Sequence, residues 1–452
     1  MATYTVDYLI IGNSAAGVNA AQHIRKVDAQ GSVLMLSKEP YPAYGTPLIS
    51  YMIEGKTTED KVWFKDPEFY TRNNLQTLFG PEYEAVKLRS ADHEVDLKNG
   101  ETVAYGKVLL ACGSVPFTPP FKGYNAQENT HNFMTLDDAK EAWADVEAAT
   151  AAAHAQGRES HVVVIGGGLI GLKAAEALSH HADHIDVYEL APRILPAVLD
   201  AQGASVLQKM LEAHGVMCHP GLSADEFFSE GNRITKAHIN DGTTVDVDVL
   251  MLCVGVRPNS ALAVEDGAEQ GRGLIVGTDM QTTLPDVYAA GDLVQITDSL
   301  DGAQRPLALW PIALEHGQIA GYNMACAPNA PQFEGSFAIN AVDFYEASLL
   351  TSGLINPAED SGCEQQIFCE GNQYVKIVTR GDYLVGYILL NRPEQAGIYS
   401  SIIRNQVPLS SFQGDIFQVA PENIAFDQQR RWERLHAGYP SQLDQLGWKE
   451  RA

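Results

Sequence analysis

Long hydrophobic runs are missing from this 452-residue chain: no uninterrupted apolar stretch approaches the ~20 residues of a membrane-spanning helix. Cysteine is scarce and scattered, at Cys112, Cys218, Cys253, Cys326, Cys363 and Cys369, with none between Met1 and Cys112. Such a spread suits reduced thiols in the cytoplasm better than a disulfide framework. Basic residues are few: 31 Lys and Arg against 57 Asp and Glu leave a formal charge of −26. That balance argues against nucleic acid or anionic lipid as a partner, and its plainer meaning is solubility. The opening residues, MATYTVDYLIIG, enter a strand at once with no basic n-region or small-residue cleavage site. The expectation is a cytoplasmic protein without a membrane span.

What is present is rhythm. At ~150 residues per domain the length suggests about three domains. YTVDYLII is a β-branched apolar run, GNSAAG follows, and AAGVNAAQHIRKV has the spacing of a helix packed on that strand. A second cycle repeats the order: HVVVIGGGLIGLKAAEALSHH, then the strand HIDVYEL. Between the cycles KVLLACGSVPFTPP runs into a proline-rich crossing; LMLCVGVRPN closes the second cycle, and TTLPDVYAAGDL ends a short strand in Gly-Asp. After about residue 330 shorter β-like runs take over (FAINAVDFY, QYVKIVTR, YLVGYILL), followed by a polar tail, PENIAFDQQRRWERL, with helical charge spacing. Strands alternating with glycine-led helices predict an α/β protein. It would have two Rossmann-like dinucleotide-binding domains, the first interrupted by the second, and a C-terminal α+β domain. The predicted boundaries are 1–118 and 255–330 for the first domain, 119–254 for the second, and 331–452 for the C-terminal domain and tail.

The most specific motif is Gly166-Gly167-Gly168-Leu169-Ile170-Gly171. In G-x-G-x-x-G, Gly166 permits the tight turn, Gly168 lets backbone approach a pyrophosphate, and Gly171 lets helix and strand pack closely. The phosphates then sit at the positive helix N-terminus, beside Leu169 and Ile170. Glu189 ends the next strand, where an acid accepts hydrogen bonds from a ribose 2′-OH and repels a 2′-phosphate, favouring NAD(H) over NADP(H). The bland alternative is a tight strand–helix turn without a ligand. The first motif, Gly12-Asn13-Ser14-Ala15-Ala16-Gly17, is less regular, with Ser14 at the middle glycine position. Its spacing excludes a nucleophile elbow. Twenty residues past Gly17 stands Ser37 rather than an acid, with Lys38 and Glu39 next.

GNSAAG, the GSVP crossing, GGGLIG with Glu189, CVGVRPN and TTLPDVYAAGD occur here in one order. That order resembles the pyridine nucleotide–disulfide oxidoreductase superfamily, in particular its branch with NADH oxidases, coenzyme A-disulfide reductases, rubredoxin reductases and nitrite reductase flavin domains. The resemblance implies FAD on the first motif and NAD(H) on the second. It places Ser37, Lys38, Glu39, Cys112, Gly113, Gly255 and Gly291 among the cofactor-binding residues, and Asp292 at the ribityl or pyrophosphate region. The C-terminal domain would shape a dimer or partner interface.

In disulfide- and peroxide-reducing relatives the turn matching YPAYGTPLIS carries a redox cysteine against the flavin. Here that position is Pro47, which has neither thiolate nor N–H. The stretch is more similar to cysteine-free members, although Thr46 replaces their arginine. Tyr44, Thr46 and Pro47 would wall the flavin, and electrons would leave it directly. Lys173 replaces a glutamate of many relatives; it either faces the nicotinamide–flavin junction, stabilising reduced flavin, or pairs with Glu176 one turn on. Trp310-Pro311 opens a helix, with proline at a plausible first position, whose N-terminus would face the flavin. His180, His181 and His184 read as a solvated loop rather than a metal site, and no metal is expected. Cys363 and Cys369 read as incidental thiols rather than a redox pair.

The resulting expectation is an FAD-dependent NADH:acceptor oxidoreductase whose acceptor is a separate Fe–S protein or partner subunit. Physiological electron flow in either direction fits. The stretch YGTPLISY and the polar tail are similar to flavin subunits of anaerobic 2-oxo acid oxidoreductases of the phenylglyoxylate type. A peroxide-forming NADH oxidase and an NADH-binding signalling flavoprotein are the rival readings.

Overall fold

The computed structural model describes residues 2–125, 127–412 and 416–417. The first sheet is built on β1 (Tyr4–Ile11), β2 (Val33–Ser37), β3 (Leu75–Phe79) and β6 (Thr102–Leu110), which run parallel in the order β3-β2-β1-β6. Register places Leu9 beside Leu34 and Ile10 beside Leu109, so the central strands bury both faces and read as continuous apolar runs. The short β17 (Val287–Ala289) adds in parallel to β6, while β5 (Glu94–Leu97) and β4 (Ala85–Arg89) extend the sheet antiparallel. Helix α1 (Ala15–Val27) covers this sheet with α8 (Trp310–Met324). The two helices touch backbone to backbone: a Cβ on Gly317 would lie 2.2 Å from the carbonyl of Ala16. Shorter helices α2 (Leu48–Ile53) and α3 (Phe69–Arg72) fill the stretch between β2 and β3.

The second sheet is wholly parallel. Its order is β11 (Val216–Pro220), β10 (His184–Glu189), β9 (His161–Ile165), β15 (Val249–Leu252) and β8 (Thr130–His131). It is flanked by α4 (Leu136–Ala155) and α5 (Leu169–Leu178), with α6 (Ala201–Ala213) following β10. An antiparallel meander of β12 (Ala224–Glu230), β13 (Arg233–Ile239) and β14 (Thr244–Asp246) leads into β15. The two proline crossings read from sequence pair with each other. β7 (Ser114–Pro116) lies antiparallel to β16 (Val256–Pro258), and Arg257 stacks its guanidinium over the Phe117 ring at 3.8 Å. Helix α7 (Ala261–Glu265) follows, and a small hairpin of β18 (Ile296–Thr297) and β19 (Gln304–Arg305) precedes α8. The chain is α/β, with two Rossmann-like sheets in the order the glycine cycles predict.

Compactness divides the chain into two units. Among the described residues, one holds both glycine-led sheets, up to residue 197 and within 208–338; the other joins residues 198–207 to those from Ile339 to Phe412. The second unit is built on an antiparallel sheet in the order β20 (Ile339–Phe344), β21 (Ala347–Gly353), β24 (Tyr383–Leu390), β23 (Gln373–Arg380) and β22 (Cys363–Glu370), with α9 (Ala396–Arg404) against it. Inside that unit Lys376 is buried and paired with Asp200 at 3.0 Å, and the Tyr374 hydroxyl donates to the same carboxylate at 2.5 Å. The tail PENIAFDQQRRWERL lies outside the described residues. No described helix is long and apolar enough to cross a membrane.

Candidate functional site

The two glycine turns are physical copies of one another. Gly12 and Gly166 sit at φ +125° and +112°, a region open to glycine and strained for other residues. A Cβ on Gly12 would meet the Ala111 carbonyl at 2.1 Å, and one on Gly166 the Cys253 carbonyl at 2.2 Å. One turn later Gly17 and Gly171 press on Gly12 and Gly166, where an added Cβ would stand 2.0 Å and 1.9 Å from their carbonyl oxygens. Both turns therefore run tight against the strand behind them and deliver a helix N-terminus at the sheet edge. Ser14 caps α1 in extended conformation without a side-chain capping bond, and Gly168 caps α5 with no side chain at all. Neither first turn carries an acid, so each helix presents its leading amides to an anion.

A cavity of about 720 Å³ opens at the first turn. Gly12, Asn13 and Ser14 form one side; Ser37, Lys38 and Glu39, at the end of β2, form the next. Cys112, Gly113 and Ser114 close it beyond β6, with Asp292 beside them. Tyr44 and Thr46 line it, whereas Pro47 falls outside the lining, in the cap position of α2. Ala15, Ala16 and Gly17 pack inward under the turn and do not reach the cavity.

The wall is held by hydrogen bonds that cross the chain. The Tyr44 hydroxyl donates to Glu39 Oε2 at 2.7 Å and accepts from the Leu136 N–H, the first residue of α4, at 3.0 Å. Burial raises the pKa of Glu39 and of Tyr44. Tyr41 donates to Asp137 Oδ1 at 2.6 Å, a bond that, with burial, pushes its phenol up to about 12. Inside the turn, Asn13 Oδ1 accepts from the Tyr70 hydroxyl at 2.8 Å, and that hydroxyl accepts from the Ala43 N–H at 2.9 Å.

Two polar groups in the cavity are poorly satisfied by protein. Burial raises the pKa of Asp292, which receives a long 3.4 Å hydrogen bond from Ser114 Oγ. Asn132 Oδ1 is buried with no hydrogen-bond partner. Such groups await a ligand's donors. Gly291, at φ +86°, donates its N–H to His316 Nδ1 at 3.3 Å; burial lowers the pKa of His316 to about 4, so the ring is neutral. Cys112 lines the cavity as a free thiol that burial pushes up to about 11.

Other sequence candidates lie elsewhere. Lys173 does not line this cavity: its ammonium pairs with Glu176 at 2.5 Å and Glu54 at 3.1 Å and lies 4.6 Å over the Tyr51 ring. The i,i+3 pairing with Glu176 therefore forms, and Glu54 at the end of α2 joins it because α2 packs on α5. Trp310 opens α8 and packs edge-on to Phe64 at 5.1 Å, so Pro311 is the second helical residue rather than the first. Gly255, at φ +114°, sits in the crossing, where its carbonyl accepts from the Phe117 N–H. Leu169 and Ile170 form the first turn of α5. Glu189 is bound to the second turn itself, its Oε2 accepting from the Gly167 N–H. His181 and His184 pair with Glu147 and Glu159, and no three metal-ligating side chains converge among the described residues.

Sequence reasoning missed Asn13, Asn132, Thr135 and Asp138, which also line the cavity. Thr135 and Asp138 form a reciprocal capping box at the start of α4. The T-x-x-D pattern signals that helix start, but nothing local signals its return to the first glycine turn.

Comparison with known proteins decides the class. Residues 6–317 match the pyridine nucleotide-disulphide oxidoreductase family. The chain belongs to that family. It is an NAD(H)-dependent flavoprotein oxidoreductase that binds FAD and NAD(H). The chain is 28% identical to a nitrite reductase (NAD(P)H) of Bacillus subtilis over 89% of its own length, and spans 48% of that enzyme. It is 26% identical to the NADH-dependent phenylglyoxylate dehydrogenase subunit epsilon of Aromatoleum evansii, over 89% of this chain and 92% of that subunit. Among solved structures, the covalent putidaredoxin reductase–putidaredoxin complex superposes with TM-score 0.78 at 22% identity, covering 98% of this chain and 100% of that one, a likeness of fold. The two uncapped helix starts, the glycine cradles and the underbonded Asp292 and Asn132 fit the family's dinucleotide cofactors.

Proposed function

We propose that this oxidoreductase transfers electrons between NAD(H) and a separate Fe–S protein or partner subunit, directly through FAD and without a redox cysteine. The observation that carries this reading is the sulfur content of the cavity wall. Tyr44 and Thr46 face the cavity, and its lining cysteine, Cys112, is held protonated by burial, so no thiolate stands ready at neutral pH. When bound, the flavin takes two electrons from NADH and releases them singly, which suits a one-electron acceptor.

On this reading the first glycine turn and the amides of α1 seat the FAD pyrophosphate, and Asp292 and Asn132 accept from hydroxyl or amide donors of the cofactor. Tyr44, locked between Glu39 and α4, holds the wall and excludes water. Gly166, Gly168 and the amides of α5 seat the NAD(H) pyrophosphate, with Glu189 as the acid against a 2′-phosphate. We assign Lys173 to joining α2 and α5. The FAD domain would comprise 1–118 and 255–330, the NAD(H) domain 119–254 and the interface domain 331–452. A narrower version, the flavin subunit of a 2-oxo acid oxidoreductase complex, draws support from the 92% of the phenylglyoxylate dehydrogenase subunit that this chain spans.

The test replaces all six cysteines in FAD-loaded protein and measures anaerobic NADH-driven reduction of a small Fe–S protein beside oxygen consumption. Retained Fe–S reduction, outpacing peroxide formation, is the expected result. Loss of flavin reduction in the folded, loaded variant would overturn the cysteine-free route, and faster turnover with oxygen would favour an NADH oxidase.

A further inference from the structure

β22 is the edge strand of the C-terminal sheet, and among the described residues its outer edge has no paired strand. Most of the strand is exposed: Glu364, Gln365, Gln366, Cys369 and Glu370 are exposed, Ile367 shows 45% of its surface, and Cys363 and Phe368 are half-buried. Its partner β23 and the next strand, β24, are largely buried, whereas β22 has no buried residue along its length. Open edges of this kind recruit another strand unless something blocks them.

The strand also has its own symmetry. The two-residue turn Gly371-Asn372 makes Glu370 and Gln373 the first pair of the hairpin. Alternation along the ladder then points the backbone groups of Cys363, Gln365, Ile367 and Cys369 outward. A second copy running antiparallel must pair these outward residues with one another. Centring the pair on Ile367 would set Glu364 against the partner's Glu370 twice, a like-charge clash. Centring it on Gln366 sets Glu364 against the partner's Phe368 and Gln365 against the partner's Ile367, with no charge opposing its like. In that register Cys363 stands opposite the partner's Cys369, at both ends of the strand.

We propose that a second copy of this chain adds to the open edge of β22 in antiparallel register about Gln366, and that a small-molecule disulfide oxidant then links the copies through two Cys363–Cys369 bridges. Being outward residues, the two cysteines would form a hydrogen-bonded pair ~5.5 Å apart at Cα, within the ~4.4–6.8 Å that a disulfide spans. A bridge within one chain is excluded, because the five intervening residues of strand hold the two cysteines about 20 Å apart. Each link forms by exchange. One cysteine thiolate attacks the small disulfide and releases one small thiol. The opposing thiolate then attacks the mixed disulfide and releases the second. Two thiols are oxidised and one small disulfide is reduced. A strand pair alone is a small interface, so the reduced association is weak and oxidation makes it permanent.

The arrangement has a signature that no other pairing shares. Either single substitution removes both bridges, while mixing the two variants restores one. The experiment uses the full FAD-loaded chain on a Cys326→Ser background, treated with glutathione disulfide, run on non-reducing gels and peptide-mapped. Expected are a reductant-sensitive covalent dimer for the parent, none for Cys363→Ser or Cys369→Ser alone, and a mixed dimer joined Cys363 to Cys369 when the two are combined. Unchanged flavin absorbance in every variant confirms that all are folded. A single variant that cross-links through its remaining cysteine, or a parent and mixture that both stay single chains, would overturn the proposal. The outcome is read without turnover and is independent of the electron acceptor.

Discussion

Glu189 and Gly167 are joined by a 2.7 Å hydrogen bond from the glycine N–H to the carboxylate, whose other oxygen accepts from Ala191 N–H, also at 2.7 Å. The acid at the end of β10 is thus pinned against the glycine turn and cannot swing away from a nucleotide seated there. On the proposed assignment, Glu189→Arg should lower kcat/KM for NADH and raise it for NADPH, moving the ratio by tenfold or more, about 1.4 kcal/mol. Steady-state kinetics with both nucleotides check this, and an unmoved ratio would remove Glu189 from nucleotide choice.

Tyr44 serves two partners at once. Tyr44→Phe strands the Leu136 N–H and removes a hydrogen bond from the half-buried Glu39 carboxylate, a loss of about 1–3 kcal/mol. Because the residue walls the proposed flavin cavity, FAD should be released about tenfold more readily, seen as rising flavin fluorescence on dilution. Undiminished retention would show that the wall closes without the hydroxyl.

His316 gives a pH signature. Its folded pKa, near 4 through burial, lies below the ordinary 6.5, so between these values the unfolded chain binds the extra proton. Stability from the neutral ring is fully present above pH 6.5 and is lost as pH falls toward 4, by up to about 3 kcal/mol. His316→Gln should flatten the dependence of Tm on pH across that window relative to the parent. Parallel curves would mean that the ring is not buried neutral.

Lys173 lies between two carboxylates, Glu54 and Glu176, whose side chains are each 1% exposed. Lys173→Met should cost about 1–3 kcal/mol, because it removes a charged hydrogen-bond partner from both buried carboxylates while Lys56, 2.5 Å from Glu54 and 3.5 Å from Glu176, still offsets part of their charge. Denaturant midpoints read the loss, and Lys173→Arg should restore most of it. An unchanged midpoint with slowed flavin reduction would instead place this lysine at the nicotinamide.

Much of the first unit was legible before any fold was drawn. β1 and β9 announce themselves because buried parallel strands need unbroken apolar runs. Gly12 and Gly166 announce themselves because the turn behind each strand admits no Cβ. Cap chemistry marked the start of α4 but not its destination. Pro47 looked like a wall residue by position, yet the backbone turns into α2 there and leaves Thr46 facing the cavity. Asn132 carried no local signal, since an unpaired amide oxygen is defined by what surrounds it.

The amino-acid order alone determined the two nucleotide cycles, the sulfur-free stretch from Tyr41 to Ser50 and the acid at the end of β10. Periodicity, steric need and side-chain chemistry are local properties, legible along a single strand or turn. Only folding decided that α4 returns to complete the first cavity, that Glu54 joins the Lys173–Glu176 pair, and that β22 is an edge strand among the described residues. Those are pairings between residues far apart in the chain, chosen by packing and burial rather than by any neighbour in sequence.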